Sequence, residues 1–168
     1  MVDATLAMGF VDEDQLYVFG GSGGGTLTAW IVGKTNRFRA AAVINPVINW
    51  ASLVLTSDVS KLAASDWFID RPWDNPMDYW SHSPLALIGN VTTPTMLING
   101  EEDWRTPISE AEQFYNALQI EGVDTALVRV PGASHQIEVR PSQLIAKVNA
   151  ILAWFARHRT AADISTDE

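Results

Sequence analysis

The stretch Tyr17-Val18-Phe19-Gly20-Gly21-Ser22-Gly23-Gly24-Gly25-Thr26-Leu27 decides how the chain is read. The apolar run Leu16 to Phe19 leads straight into a glycine cluster, and Thr26 to Val32 beyond it is apolar enough to be a buried helix. Strand, sharp turn and helix in that order are the setting in which Gly20-x-Ser22-x-Gly24 puts a serine on a strained turn with its hydroxyl outward. Side chains at Gly20 and Gly24 are expected to collide where strand and helix come closest. The Gly23 amide and the helix N-terminus then face the position of a developing oxyanion. A phosphate-binding loop is the alternative for so many glycines, and the letters oppose it. No lysine follows the cluster, and Thr26 stands where a dinucleotide fingerprint beginning at Gly21 needs glycine or alanine.

Around this centre the chain alternates strand and helix patterns. Val2, Leu6 and Gly9 stand at helical spacing before a turn at Asp12-Glu13-Asp14. Arg39 to Pro46, Pro94 to Asn99 and Asp124 to Val130 are short apolar runs of the kind buried parallel strands make. Pro107 to Glu121, with Ile108, Ala111, Phe114, Tyr115 and Leu118 in a stripe, predicts a helix with proline in its first turn. Pro141 to Arg159 predicts a final helix presenting Leu144, Ile145, Val148, Ile151, Leu152 and Phe155 on one face. Residues 49–91 hold four of the seven tryptophans without a strand pattern and read as a helical insertion. The expected architecture is α/β, about four parallel strands flanked by helices with a Trp-rich insertion. Residues 1–159 read as one domain, and the polar, acidic stretch 160–168 as a disordered tail.

Composition excludes several classes of function. At 168 residues, 47% hydrophobic and 18% charged, the chain suits a single globular domain. A net charge of −9 with eleven scattered Lys and Arg opposes nucleic-acid binding. Without cysteine there is no disulfide, thiolate nucleophile or zinc-cysteine site. No apolar run approaches the roughly 18 residues of a membrane span, and no basic flank with a long apolar stretch opens the chain. The expectation is a cytoplasmic protein that does not engage membranes.

A serine hydroxyl needs a base to take its proton and a carboxylate to orient that base. Of three histidines, His158 ends the last helix and His82 sits in a Ser-His-Ser-Pro turn. His135, in Pro131-Gly-Ala-Ser-His135, follows the fourth strand and precedes the last helix, the position the chemistry requires. Asp103 lies in the loop Gly100 to Pro107 after the third strand, so Ser22, Asp103 and His135 occur in nucleophile, acid, base order. Glu101 and Glu102 share that loop and remain alternative acids. Separated histidines without His-Glu-x-x-His leave no metal constellation, and no cofactor is expected.

With Gly20-Gly-Ser-Gly-Gly-Gly25, Asn45-Pro-Val-Ile-Asn-Trp-Ala-Ser52, Gly100-Glu-Glu-Asp-Trp-Arg-Thr-Pro107 and Pro131-Gly-Ala-Ser-His135, the chain resembles the catalytic domain of the prolyl oligopeptidase family. The likeness is to its acylaminoacyl-peptidase branch and extends from about residue 2 to 158. The resemblance implies an α/β-hydrolase core and a serine hydrolase acting on esters or N-acylated peptides, with Ser22, Asp103 and His135 as nucleophile, orienting acid and base. Gly23 stands where the family usually has a bulky residue. The family's early strands, its propeller domain and the loop giving a second oxyanion donor have no counterpart in the sequence, so a truncated core is expected. Loss of one such donor typically costs about 10²–10³ in rate. The elbow strand is then an open edge, for which pairing with a second copy in a homodimer is expected. A non-catalytic, self-associating remnant is the competing expectation. Trp104, beside Asp103, and Trp50 and Trp67 are candidate substrate-binding residues, whereas Trp30 and Trp154 read as helix core.

Overall fold

The fold, described for residues 2–159 of a computed structural model, is built on four parallel strands. The stretch 160–168, expected to be a tail, lies outside the described residues. Strand β1 (Tyr17–Gly21) pairs with β2 (Ala40–Ile44), β2 with β3 (Thr95–Gly100), and β3 with β4 (Thr125–Val130). Sheet order therefore follows chain order, and β1 and β4 form the two edges. Strands β2 and β3 are buried along their whole length, which accounts for their unbroken apolar runs.

The period of two in the strands sorts side chains to opposite faces. Ala41, Val43 and Leu97 pack with Ala29 and Val32 of helix α2 (Gly23–Val32) and Phe114 and Leu118 of α6 (Ile108–Ile120). Ala40, Ala42, Met96 and Ile98 pack with Ile151 and Trp154 of α7 (Pro141–Arg157). Between β2 and β3 come three short helices, α3 (Trp50–Thr56), α4 (Ser60–Asp66) and α5 (Pro76–Ser81), and a 3-10 turn over Pro84–Asn90. They close over their own small cluster of Val54, Ala63 and Tyr79. Another short helix, α1 (Val2–Leu6), precedes β1. Among the described residues no helix is long and apolar enough to cross a membrane.

Three local expectations are corrected. Helix α2 starts at Gly23 rather than Thr26, because Ser22 takes the whole chain reversal and its carbonyl already accepts from the Thr26 amide at 3.0 Å. As a result Gly24 faces open space, and the close approach falls on Gly20, as expected, and on Gly25 in place of Gly24. A Cβ on Gly20 would meet the Gly24 carbonyl, and one on Gly25 the Ile44 carbonyl. On α6, Pro107 stands just before the helix rather than in its first turn. On α7 the predicted stripe is mostly uncovered: Ile145 and Leu152 are 59% and 61% exposed. The sheet beneath α7 ends at β1, whose Phe19 is 62% exposed, so the helix overhangs the edge and only Ile151 and Trp154 are buried from its end nearest the core.

Candidate active site

Strand β1 delivers Ser22 to the C-terminal edge of the sheet. Its φ of 57° and ψ of −122° are left-handed values that a side-chain-bearing residue rarely adopts, a strain of order 1–3 kcal/mol. The neighbouring strand holds it there, since the Ser22 amide donates to the Ile44 carbonyl at 2.9 Å. Gly23, first residue of α2, has an N–H with no acceptor inside the helix.

Because all four strands run the same way, the loops after β3 and β4 emerge at that edge too. Asp103 is drawn into the acid loop by its own side chain: Oδ1 accepts from the amides of Arg105 and Thr106, both at 2.9 Å. Its side chain is fully buried. The Glu102 amide donates to the Ala133 carbonyl at 2.9 Å, tying the acid loop to the loop that carries His135. Asn45, at φ 44° just past β2, donates from Nδ2 to the His135 carbonyl at 2.6 Å.

These anchors bring the three residues into one line. His135 Nδ1 is 2.8 Å from Asp103 Oδ2, and His135 Nε2 is 2.9 Å from Ser22 Oγ. A carboxylate can only accept, so Nδ1 carries the imidazole proton and Nε2 presents a lone pair to the hydroxyl. The alternatives lie elsewhere. Glu101 pairs with Arg129 at 3.0 Å, Glu102 lines the groove beside Trp104, and His158 bonds Asp124 at 3.2 Å.

Trp50 and Trp67 meet edge to face, 5.2 Å between ring centroids. With Trp30, Leu27, Phe68 and His82 they line an apolar cavity of about 490 Å³ that begins at Thr26, one turn along α2 from Ser22. Trp30 is thus half-exposed on this cavity and not in the core, because α2 turns that face toward the insertion and its Ala29 and Val32 toward the sheet. Trp104, 70% exposed, stands on the other flank of His135, in a groove of about 290 Å³ with Asp58, Glu102 and Arg105. Trp154 is buried against the sheet, as its helical position implies.

Several contributors were invisible to motif reading. Trp30 had a usable signal, since Ser22, Thr26 and Trp30 repeat at four-residue spacing on one helix face. His82 had none; the fold of the insertion brings it to the cavity. Glu110 of α6 is fully buried and holds the segment after β2. Its Oε2 accepts from the amides of Ile48 and Asn49 at 2.9 and 2.8 Å, and Ser52 and Gln113 bond Oε1. Burial pushes the Glu110 carboxyl above the usual glutamate range, against those four hydrogen bonds, which pull it down. No group of three or more metal-ligating side chains occurs among the described residues.

Relatives share this arrangement of chain. The profile of the prolyl oligopeptidase family matches residues 1–161. An uncharacterized peptidase, YuxL, of Bacillus subtilis (strain 168) is 41% identical over 151 residues, which are 88% of this chain and 23% of that protein. The acylamino-acid-releasing enzyme of Arabidopsis thaliana is 32% identical over 94% of this chain and 22% of its own length. Among solved structures, acylaminoacyl peptidase from Pyrococcus horikoshii superposes with a TM-score of 0.87 at 24% identity, covering 94% of this chain and 26% of that one. A puromycin hydrolase superposes at 0.80 with 26% identity, over 92% of this chain and 23% of its own. The chain therefore spans about a quarter of the length of the proteins it matches. Its parallel sheet flanked by helices is of the α/β-hydrolase type, and with its matched span reaching from one end of the described fold to the other, the chain belongs to the prolyl oligopeptidase family.

Proposed function

We propose that this chain carries the reacting centre of a serine hydrolase that cleaves carboxylic esters or N-acylated peptide bonds through an acyl-enzyme on Ser22. The observation that carries the reading is the unbroken hydrogen-bonded line from Ser22 Oγ through both His135 nitrogens to Asp103, at 2.9 and 2.8 Å. Ser22 Oγ adds to the carbonyl carbon as its proton passes to His135 Nε2. Asp103 holds the imidazole in the required tautomer and stabilises the imidazolium. The carbonyl oxygen gains negative charge facing the Gly23 N–H, which supplies one oxyanion donor. The intermediate collapses, the C–O or C–N bond breaks, and the leaving alcohol or amine departs with the proton from Nε2. Water then repeats the sequence on the acyl ester and regenerates Ser22.

The cavity with Trp50 and Trp67 supports an aromatic or bulky apolar substrate group, next to the helix that leaves Ser22. Trp104, on the His135 flank, supports contact with the leaving side. Relatives named for the release of acylamino acids favour acylated amino-acid substrates, while short esters ask less of the site. The open edge of β1, with the exposed apolar stripe of α7 beside it, supports pairing with a second copy of the chain.

Labelling with a fluorophosphonate probe tests the reading. The folded chain is expected to label, Ser22→Ala to lose the label, and p-nitrophenyl ester turnover to disappear with it. Absence of Ser22-dependent labelling in a chain whose melting curve shows it folded would overturn the proposal and leave a non-catalytic, self-associating module.

A further inference from the structure

Thr106 ends the acid loop with 4% of its surface exposed, and its hydroxyl stands where three groups meet. Oγ1 is 3.0 Å from Asp103 Oδ2, 3.2 Å from His135 Nδ1 and 3.1 Å from the Asn45 carbonyl oxygen. A hydroxyl has one proton and two lone pairs, so it cannot serve both acceptors fully. With Asp103 ionised, the charge-assisted bond to Oδ2 is the stronger destination for the proton. That choice leaves a lone pair toward the Nδ1–H, which already donates to the same Oδ2 at 2.8 Å. Asn45 closes the ring from the other side, because its Nδ2 holds the His135 carbonyl while its own carbonyl faces the Thr106 hydroxyl.

Resting on the reading of His135 as the base, we propose that Thr106 is a positioning residue. Its hydroxyl fixes the imidazole plane against the Asp103 carboxylate and draws part of that carboxylate's charge away from the ring. The charged groups around the imidazole are Asp103, Glu102 and Arg105 of the acid loop, Asp58 paired with Arg105, and Glu138 paired with Lys147. Among the described residues, Asp103 is the one of these hydrogen-bonded to the ring. Of these groups, Asp103 is the one the Thr106 hydroxyl bonds, through Oδ2. Removing the hydroxyl takes away the second polar partner of the Nδ1–H and leaves the imidazole plane held by Asp103 alone.

The test is the NMR resonance of the His135 Nδ1 proton, identified by its loss in His135→Gln, in the parent chain and in Thr106→Val, Thr106→Ala and Thr106→Ser. Both hydroxyl-free variants are expected to displace that resonance and broaden it by faster exchange with water, and Thr106→Ser to restore the parent line. Phosphonylation of Ser22 is expected to slow by about tenfold in the first two and to recover in the third. Having two hydroxyl-free variants keeps the test decisive if one fails to fold. An unchanged resonance in the hydroxyl-free chains, or a displacement in Thr106→Ser as large as that of valine, would sink the proposal. A parent chain that never labels at Ser22 overturns the hydrolase reading instead, and the resonance still decides the role of Thr106.

Discussion

Gly25 lacks a side chain because the Ile44 carbonyl occupies the space a Cβ needs, whereas Gly24, one residue earlier in the same helix, faces nothing within contact distance. Alanine at the two positions is therefore expected to act in opposite directions. Gly25→Ala must push α2 off β2 and lose about 1–3 kcal/mol. Gly24→Ala gains helix propensity, about 0.5–1 kcal/mol. Urea unfolding of the two variants measures both, and equal effects would mean that the strand and helix do not meet where the packing places them. At this scale Ser22 and His135 can be nominated from residue type and chain order, whereas the choice of Asp103 over Glu101 and Glu102 leans on the family resemblance. Which glycine is crowded was not, since that depends on α2 beginning at Gly23. Thr106 was equally unreadable: its hydroxyl matters only after three loops have converged on it.

At the scale of elements, Glu110 binds helix α6 to the segment that leads from β2 into the aromatic cavity. Its carboxyl is raised above the ordinary value of about 4.5, so it contributes stability that is fully present below that pH and lost as pH rises through the folded-state value. Glu110→Gln keeps an acceptor for the Ile48 and Asn49 amides and removes the buried charge. The variant is expected to match the parent below the ordinary glutamate range and to gain on it as pH rises through the folded-state value, with no further change above that value. Glu110→Ala strands both amides and is expected to lose about 1–3 kcal/mol at low pH, where the parent carboxyl is neutral, and less as pH rises. Denaturant melts across that range check the sign, and a parent stability that stays constant relative to glutamine would refute it. The element patterns themselves were legible: each apolar run bounded by a breaker is a strand, and the period near four marks α6 and α7. Burial was legible only where both faces are covered. On α7 the pattern of Leu144, Val148 and Leu152 names a face without saying what lies under it, and past β1 nothing in the described fold does.

For the molecule as a whole, the open side of β1 is the largest unanswered surface. Phe19 and the α7 stripe border it, and β1 has a neighbouring strand on one side only within the described sheet. Pairing of two β1 edges across a two-fold would extend four strands to eight and cover both stripes. The chain is accordingly expected to sediment as a dimer at micromolar concentration, with Phe19→Lys shifting it toward monomer. A monomer at that concentration overturns the pairing. Fold class was legible at this scale because alternation of strand and helix admits few topologies.

Sheet order equal to chain order has a consequence for synthesis. Within the described sheet, β2, β3 and β4 each pair with the strand made just before them. Yet the contact between Ser22 and His135 bridges 113 residues and waits for the final strand. A chain halted on the ribosome before that strand has a finished serine turn with no base beside it. Under the proposed hydrolase reading, the base therefore reaches the serine only once the last strand of the described sheet is in place.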